Sequence, residues 1–242
     1  MPPVGDLRLE PPIFENLPKF DGIYDATKRG NRCLQRNLDY SDLYTYSEDC
    51  LYLSVTFPAN IDLDNPKNVL VYIHGGSYQV GDGQRYNTDS SLLVQQENVI
   101  VVSITYRMAY LGFAAFKGTF LEKETIGNYG LMDQYAALQW IQRNIKYLGG
   151  DPKKVTVFGD SAGGESTMAQ VMWEDSKINN NIISAVPISW PVLAYHHKEQ
   201  ADDLNKKLAR KFDCLRKVGS KIGLENYQID KDFGFALLTG TN

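Results

Sequence analysis

The sequence predicts an α/β fold in which a mostly parallel sheet is covered by helices on both faces. Apolar segments rich in Val and Ile alternate with segments of helical periodicity, and this alternation is typical of parallel sheets. The length of 242 residues suits one large α/β domain or two small ones. The 43% hydrophobic and 22% charged content is ordinary for a globular chain and excludes a disordered or coiled-coil protein.

The predicted strands share short apolar runs, and they lie at 51–57, 69–73, 98–106, 155–158 and 182–189. The run at 69–73 is continuous, which predicts burial on both faces, whereas Pro187 weakens the last candidate. The predicted helices lie at 90–96, 131–148 and 162–173. Apolar residues recur every three or four positions in the second helix, and Gly149 follows where a helix end favours a positive φ.

Charge and composition exclude several classes of partner. Lys plus Arg number 25 and Asp plus Glu number 29, so the net charge of −4 disfavours binding to nucleic acid or to an anionic membrane. No apolar run approaches the roughly 20 residues of a membrane-spanning helix. Residues 1–6 have neither a basic nor an apolar region, so they are not a signal peptide. The three cysteines permit at most one internal disulfide.

The strongest motif for chemistry is Gly159-Asp160-Ser161-Ala162-Gly163, directly after the predicted strand at 155–158. This Gly-x-Ser-x-Gly pattern between a strand and a helix is a nucleophile elbow, which presents the serine at a sharp turn. The flanking glycines remove the Cβ atoms that would clash there, and the helix N-terminus favours a developing oxyanion. The alternative is a plain glycine-rich turn.

A second motif, His74-Gly75-Gly76-Ser77, follows the predicted strand at 69–73. Glycines let backbone N–H groups approach an oxyanion closely, so this loop is a candidate oxyanion hole for an acyl-transfer reaction at the serine. A tight turn after a strand would also use two glycines. We interpret His74 as a histidine that orients the loop or fills the core, not as a catalytic base.

These motifs and several others resemble the type-B carboxylesterase/cholinesterase family of α/β-hydrolases. The matches are Pro-Pro-Val-Gly-Asp-Leu-Arg at 2–8, Asp-Ala-Thr-Lys at 25–28, Ser-Glu-Asp-Cys-Leu-Tyr-Leu at 47–53, His-Gly-Gly-Ser-Tyr at 74–78, Tyr-Arg at 106–107 with Leu-Gly-Phe at 111–113, Gly-Asn-Tyr-Gly-Leu-Met-Asp-Gln at 127–134, Ala-Leu-Gln-Trp at 137–140, and Gly-Gly-Asp-Pro at 149–152. They are nearly continuous from residue 2 to about 170 and sparse afterwards. The resemblance implies a partial α/β-hydrolase fold with its elbow at 159–163, as a single incomplete domain over 1–242.

The resemblance also implies roles for individual residues. Ser161 corresponds to the nucleophile of a carboxylic ester hydrolase that forms an acyl-enzyme, and the oxyanion-hole positions are Gly76, Ser77 and Ala162. The family's first disulfide corresponds to Cys33 with Cys50. Its partly buried ion pairs correspond to Arg8 with Glu48 and Arg107 with Asp133. The implied substrate is a small-molecule ester, with no cofactor and no metal, and the sequence does not indicate an oligomeric state.

The family pattern breaks after the elbow. The fold needs a catalytic acid and then a histidine after the serine, but only His196 and His197 follow Ser161. These two histidines are a surface or pocket-lining pair, or one of them is a substitute base. Residues 235–242 resemble the strand that leads into the family's triad acid, so we expect an internal piece of a longer esterase that is itself inactive. A non-catalytic neuroligin-like adhesion protein or an inert fragment are the alternatives.

The resemblance leads to two further expectations. A disulfide requires an oxidising compartment, so the parent protein would be secreted or reside in the ER lumen, with its signal peptide upstream of Met1. The loop at 34–49 contains Tyr40, Tyr44 and Tyr46 but lacks the tryptophan that binds choline in cholinesterases. We therefore expect a general carboxylesterase that prefers neutral esters.

Overall fold

The computed structural model of the chain describes residues 1–14, 21–35, 45–83, 90–115, 126–173 and 182–189. Its strands are β1 (Arg32–Cys33), β2 (Tyr46–Ser47), β3 (Leu53–Thr56), β4 (Lys67–Ile73), β5 (Ile100–Ile104), β6 (Gly150–Asp160) and β7 (Ile182–Ile188). The last five form one sheet in the order β3-β5-β4-β6-β7. All neighbours in this sheet are parallel except β3, which is antiparallel to β5. The predicted mostly parallel sheet is confirmed.

Helices connect the strands of this sheet. They are α1 (Ser91–Glu97), α2 (Ala109–Phe113), α3 (Tyr129–Asn144) and α4 (Ala162–Met172), with short 3-10 turns at Gly5–Leu7 and Ile145–Leu148. Helix α4 contacts β4, β6 and β7, and α3 packs beside it. Within the described part of the chain, no helix combines the length and apolar character needed to span a bilayer.

The helix predicted at 131–148 differs from the structure at both ends. It begins at Tyr129, and its α-helical part ends at Asn144 because the last four residues form a 3-10 turn. Gly149 follows with φ 79°, and its N–H bonds back to Lys146, which tightens this final turn.

The strand predictions are correct in position and differ in length. The segment predicted at 51–57 forms a strand only over Leu53–Thr56, the residues that pair with β5. The segment predicted at 155–158 extends over Gly150–Asp160 because β6 pairs with β4 on one side and with β7 on the other. Pro187 does not prevent β7, where it lies opposite Gly159.

The prediction that residues 69–73 are buried on both faces is wrong for one face. Val69, Val71 and Ile73 are fully buried in a cluster that includes Leu138 and Ile141 of α3. Leu70 and Tyr72 point to the opposite face, because side chains alternate along a strand, and they are only half-buried. The neighbouring strand β5 does show the fully buried pattern, with all five residues buried.

The register of β4 against β6 positions the candidate site. Ile73, the last residue of β4, lies opposite Gly159, the residue that precedes Asp160 and Ser161. Because the two strands are parallel, the segments that follow them leave the sheet at the same edge. The loop beginning at His74 and the turn at Ser161 therefore meet, although 87 positions separate them in the sequence.

Candidate active site

Residues 159–163, which we call the elbow, carry the chain from β6 into α4 with Ser161 at the tip. Ser161 has φ 53° and ψ −123°, a conformation that L-residues rarely adopt outside strained turns. Its N–H donates to Ile188 O at 2.9 Å, and its carbonyl accepts the first helical hydrogen bond from Glu165 N at 3.0 Å. The backbone on both sides of the serine is thus fixed, and the side chain stands at the start of a helix.

The two outer glycines of the elbow are required by their surroundings. A Cβ on Gly163 would lie 2.1 Å from Ile73 O, and a Cβ on Gly159 would lie 2.5 Å from both Ile73 O and Gly163 O. Such distances are far inside van der Waals contact. The sequence-based explanation for these glycines is therefore confirmed, with the end of β4 as the neighbouring backbone.

The segment 74–82, which we call the glycine loop, packs against the elbow. A Cβ on Gly75 would lie 2.5 Å from Asp160 O and 3.2 Å from Ser161 Cβ. Gly76 follows with φ 111°. Its carbonyl accepts hydrogen bonds from the Gln79 and Val80 N–H groups at 3.0 and 3.1 Å. The carbonyl of Gly76 is therefore turned into the loop, and the strand-to-loop junction lies beside the serine.

Three consecutive residues of the glycine loop have positive φ values. Gly76 has φ 111°, and Ser77 and Tyr78 follow with φ 54° and 57°. Residues with a side chain pay an energetic cost for this conformation, and such strain concentrates at functional sites. Ser77 is exposed, whereas Tyr78 is buried.

His74 begins the glycine loop and is buried. Its ring stacks on that of Tyr106 with 4.3 Å between the centroids, and the Tyr106 hydroxyl donates to His74 O at 2.8 Å. His74 Nδ1 lies 2.9 Å from Gly75 O. Burial raises the pKa of Tyr106 above its usual value, so this phenol stays protonated as a donor. These contacts agree with the interpretation of His74 as an orienting core residue.

A second connection between the loop and the elbow helix was not predicted. The buried Tyr78 hydroxyl donates to Glu165 Oε2 at 3.1 Å and accepts from Ser166 Oγ at 3.4 Å. Gln134 of α3 donates to Ser166 Oγ at 3.0 Å. Glu165 is 1% exposed and lies four residues after Ser161, about one turn along the same helix. It contacts the glycine loop through Tyr78.

The disulfide and the two ion pairs implied by the resemblance are present. Cys33 and Cys50 are buried and bonded, with 4.9 Å between their Cα atoms. The Arg8 guanidinium donates to both carboxylate oxygens of Glu48.

The second pair is completely buried. Arg107 donates from Nε and Nη2 to the two Asp133 oxygens, both at 2.8 Å, and from its backbone N–H at 3.0 Å. This pair joins α3 to the segment after β5.

Four residues singled out from the sequence lie outside the described residues. They are His196, His197 and the loop tyrosines Tyr40 and Tyr44, and the third cysteine of the sequence, Cys214, also lies outside these residues. The acidic neighbour of the serine, Asp160, is exposed, and it accepts from the Tyr72 hydroxyl at 2.8 Å.

Comparisons with known proteins agree on one family. The model of the Carboxylesterase family matches residues 1–228. A mouse cholinesterase is 38% identical over 230 residues, which are 89% of this chain and 36% of that protein. The rat pyrethroid hydrolase Ces2e is 41% identical over 182 residues, covering 71% of this chain and 30% of that protein.

A solved structure supports the same fold. The chain superimposes on a thermophilic PNB esterase with a TM-score of 0.81 and 32% identity, covering 99% of this chain and 52% of that one. The chain thus spans about a third of the length of these curated relatives and about half of the solved structure.

Proposed function

Since the chain belongs to the carboxylesterase family, we propose that it carries the nucleophile and the oxyanion hole of a carboxylic ester hydrolase. Ser161 is the nucleophile, and the N–H groups of Gly76, Ser77 and Ala162 bind the oxyanion. The observation that supports this most is the packing of the glycine loop on the elbow, with a Gly75 Cβ position only 3.2 Å from Ser161 Cβ. One substrate oxygen near Ser161 would be within reach of both segments.

In the proposed reaction, Ser161 Oγ attacks the carbonyl carbon of the ester, and its proton passes to a general base. The carbonyl π electrons move to the oxygen, whose negative charge the three N–H groups stabilise. The intermediate then expels the alcohol, which takes the proton from the base, and leaves an acyl-Ser161 ester. Water hydrolyses this ester by the same steps, so Ser161 regains its proton and the carboxylic acid leaves.

The acid and the base of this reaction lie, in our proposal, outside the described residues. Within the described ranges the one histidine is His74, which stacks on Tyr106, and the acid on the elbow helix, Glu165, accepts from Tyr78. A polypeptide limited to these 242 residues offers only His196 and His197 in addition. We expect it to show no ordinary esterase turnover, because a serine without a base is a weak nucleophile.

Further parts of the proposal concern substrate and compartment. The natural substrate is a small-molecule ester, by analogy with the family's activities. The parent protein is secreted or lies in the ER lumen, because a buried disulfide persists in oxidising compartments.

A phosphonylation experiment tests the nucleophile and the oxyanion hole without requiring turnover. The 242-residue chain is incubated with a fluorophosphonate probe, and the modified residue is identified by peptide mass spectrometry. The oxyanion hole alone is worth on the order of 10²-fold in rate, so Ser161 is expected to react about that much faster than an ordinary serine. The Ser161→Ala variant is expected to lose the modification.

Ser189 supplies a matched control for this experiment. It is also a serine with positive φ, at 47°, it directly follows β7, and it is exposed. Ser189→Ala is expected to leave the modification unchanged. Equal modification of Ser161 and Ser189 would refute the proposal that Ser161 is activated. Robust hydrolysis of p-nitrophenyl acetate that is abolished in Ser161→Ala would refute the expectation that the 242-residue chain lacks a general base.

A further inference from the structure

The glycine loop is held at its far end by the side chain of Gln35. Gln35 is 3% exposed, and its amide pairs with the backbone of Gly81 in both directions. Gln35 Nε2 donates to Gly81 O at 3.0 Å, and Gly81 N donates to Gln35 Oε1 at 2.9 Å. Two antiparallel hydrogen bonds of this kind fix both the distance and the orientation of the Gly81 peptide groups.

Gly81 is also the point at which the loop closes on its own beginning. It has φ +135°, and a Cβ there would lie 2.3 Å from His74 Nδ1 and 2.5 Å from Gly75 O. Gly75 in turn packs against Ser161. A continuous line of close contacts therefore runs from Gln35 through Gly81 and Gly75 to the serine.

The position of Gln35 depends on the disulfide. Gln35 Nε2 donates to Cys33 O at 3.1 Å, and Cys33 is bonded to Cys50 in the core. Arg32, the residue before Cys33, donates from Nε to Asp82 Oδ2 at 2.6 Å, and both side chains of this pair are buried. The disulfide-anchored segment 32–35 thus holds two consecutive residues of the loop, Gly81 and Asp82.

We propose that Gln35 is a positioning residue of the oxyanion hole. It holds Gly81, and through Gly81 it holds the Gly76 and Ser77 N–H groups at the serine. The Cys33–Cys50 disulfide holds Gln35 in place. Gln35 is 46 positions from Gly81 in the sequence, and it acts through the loop without contacting the substrate. The inference rests on the proposed oxyanion hole, because only then does the geometry of the glycine loop affect the reaction at Ser161.

Hydrogen exchange of the backbone amides tests the positioning directly. In Gln35→Met the side chain keeps its length and loses both hydrogen bonds with Gly81 as well as the one to Cys33 O. The peptide covering 75–83 is therefore expected to exchange at least about tenfold faster. Peptides from β4 and β6 are expected to keep their exchange rates. Reduction of the disulfide with dithiothreitol is expected to produce the same local increase.

Gln170→Met is the matched control. Gln170 is an equally buried amide on α4, and its donor bonds, to Leu131 O at 2.9 Å and to Gln134 Oε1 at 3.1 Å, go to α3 and not to the glycine loop. Its loss is expected to raise exchange in α3 and α4 and to leave 75–83 unchanged. Unchanged exchange of 75–83 in Gln35→Met would overturn the proposal. An equal increase in all peptides would overturn it too, because that result indicates global destabilisation.

A chemical readout separates positioning from binding. For the fluorophosphonate reaction at Ser161, Gln35→Met is expected to lower the maximal inactivation rate about tenfold and to leave the half-saturating probe concentration within twofold. An unchanged inactivation rate would overturn the positioning role. If the wild-type chain does not react at Ser161, the proposed function fails, and the exchange measurement still decides whether Gln35 orders the loop.

A conservative variant keeps the test valid if Gln35→Met does not fold. Gln35→Glu retains the acceptor for Gly81 N and loses the donor to Gly81 O. It is expected to give an intermediate increase in exchange of 75–83. Wild-type exchange in this variant, with its buried carboxylate facing Gly81 O, would also overturn the proposal.

Discussion

The Tyr78 hydroxyl donates a hydrogen bond of 3.1 Å to Glu165, which ties the glycine loop to the elbow helix across 87 positions of sequence. Both side chains are buried, at 2% and 1% exposure. Burial raises the pKa of Tyr78 above its usual value, and the negative charge of Glu165 raises it further. The phenol therefore remains a donor in the folded chain at pH values where a free tyrosine ionises.

This raised pKa predicts a loss of stability at alkaline pH. Below pH 10 Tyr78 is protonated in the folded and the unfolded chain, so its contribution is fully present. Above an ordinary tyrosine pKa of about 10, the unfolded chain releases the proton first, and the free energy of unfolding falls by up to about 1.4 kcal/mol per pH unit for each such tyrosine. The Tyr78→Phe variant lacks this titrating group, so its free energy of unfolding is expected to fall less steeply with pH, by the contribution of one proton. Urea unfolding between pH 9 and 11 measures the two slopes.

Tyr147 provides the control for the alkaline measurement. Its side chain is 68% exposed, so Tyr147→Phe removes one phenol hydroxyl without disturbing the buried contact between Tyr78 and Glu165. Identical slopes in wild type and Tyr78→Phe would contradict the buried, protonated state of Tyr78.

The elbow glycine at 163 is predicted to tolerate no side chain. The Cβ of Gly163→Ala would lie 2.1 Å from the Ile73 carbonyl oxygen, and backbone cannot move aside as a flexible side chain can. We expect the free energy of unfolding to fall by about 2–3 kcal/mol, because overpacking a core that cannot rearrange has a cost of this size. Urea denaturation of the purified variant measures it.

Gly164→Ala serves as a graded comparison. Its Cβ would lie 2.9 Å from Ile188 O, a much milder conflict, so its cost is expected to be smaller. The reverse order of the two costs would show that the close packing of the elbow on β4 is incorrect.

The Cys33–Cys50 disulfide is predicted to stabilise the chain. It closes a loop of 17 residues, which corresponds to roughly 3 kcal/mol in the chain-entropy model. Dithiothreitol is expected to lower the free energy of unfolding of the wild type by about this amount. The variant Cys33→Ala/Cys50→Ala is expected to be insensitive to the reductant; equal sensitivity would assign the effect to another thiol.

The substrate preference of the whole protein is predicted to favour neutral esters over choline esters. The loop at 34–49 lacks tryptophan, and its described tyrosine, Tyr46, accepts from Arg32 Nη1 at 3.2 Å while the guanidinium lies 5.9 Å from its ring centroid. Tyr46 is thus already engaged by a cation of the protein. Absence of a desolvated indole contact worth about 2 kcal/mol lowers the preference for choline more than tenfold.

The measurement for this prediction is the ratio of kcat/KM for acetylthiocholine to that for a neutral thioester of equal acyl length. A ratio well above one would show that another aromatic side chain binds the ammonium group. If the whole protein hydrolysed neither compound, the result would contradict the proposed ester hydrolase activity and not the substrate preference.

The local parts of the site could be predicted from the amino-acid sequence. Short apolar runs rich in Val and Ile predicted β4 and β5 because backbone alternation and β-branching are local properties. The spacing of Gly159, Ser161 and Gly163 predicted a strand-to-helix turn because a Gly159 Cβ would clash with Gly163 O within the same five residues. The conflict of a Gly163 Cβ with Ile73 O arises only in the packed sheet. The disulfide and the Arg107–Asp133 pair followed only from resemblance to a family, as no pattern of spacing indicates such partners.

Which distant segments meet at the serine depends on how the whole chain folds. The pairing of Gln35 with Gly81 and of Tyr78 with Glu165 leaves no periodic signal, because it depends on the order of the strands and on the register that sets Ile73 opposite Gly159. The half-exposed face of β4 was missed likewise, since the burial of Leu70 depends on which helices cover the sheet. Local sequence specifies backbone conformation and side-chain alternation, whereas contacts across 46 or 87 positions form only when the whole core packs.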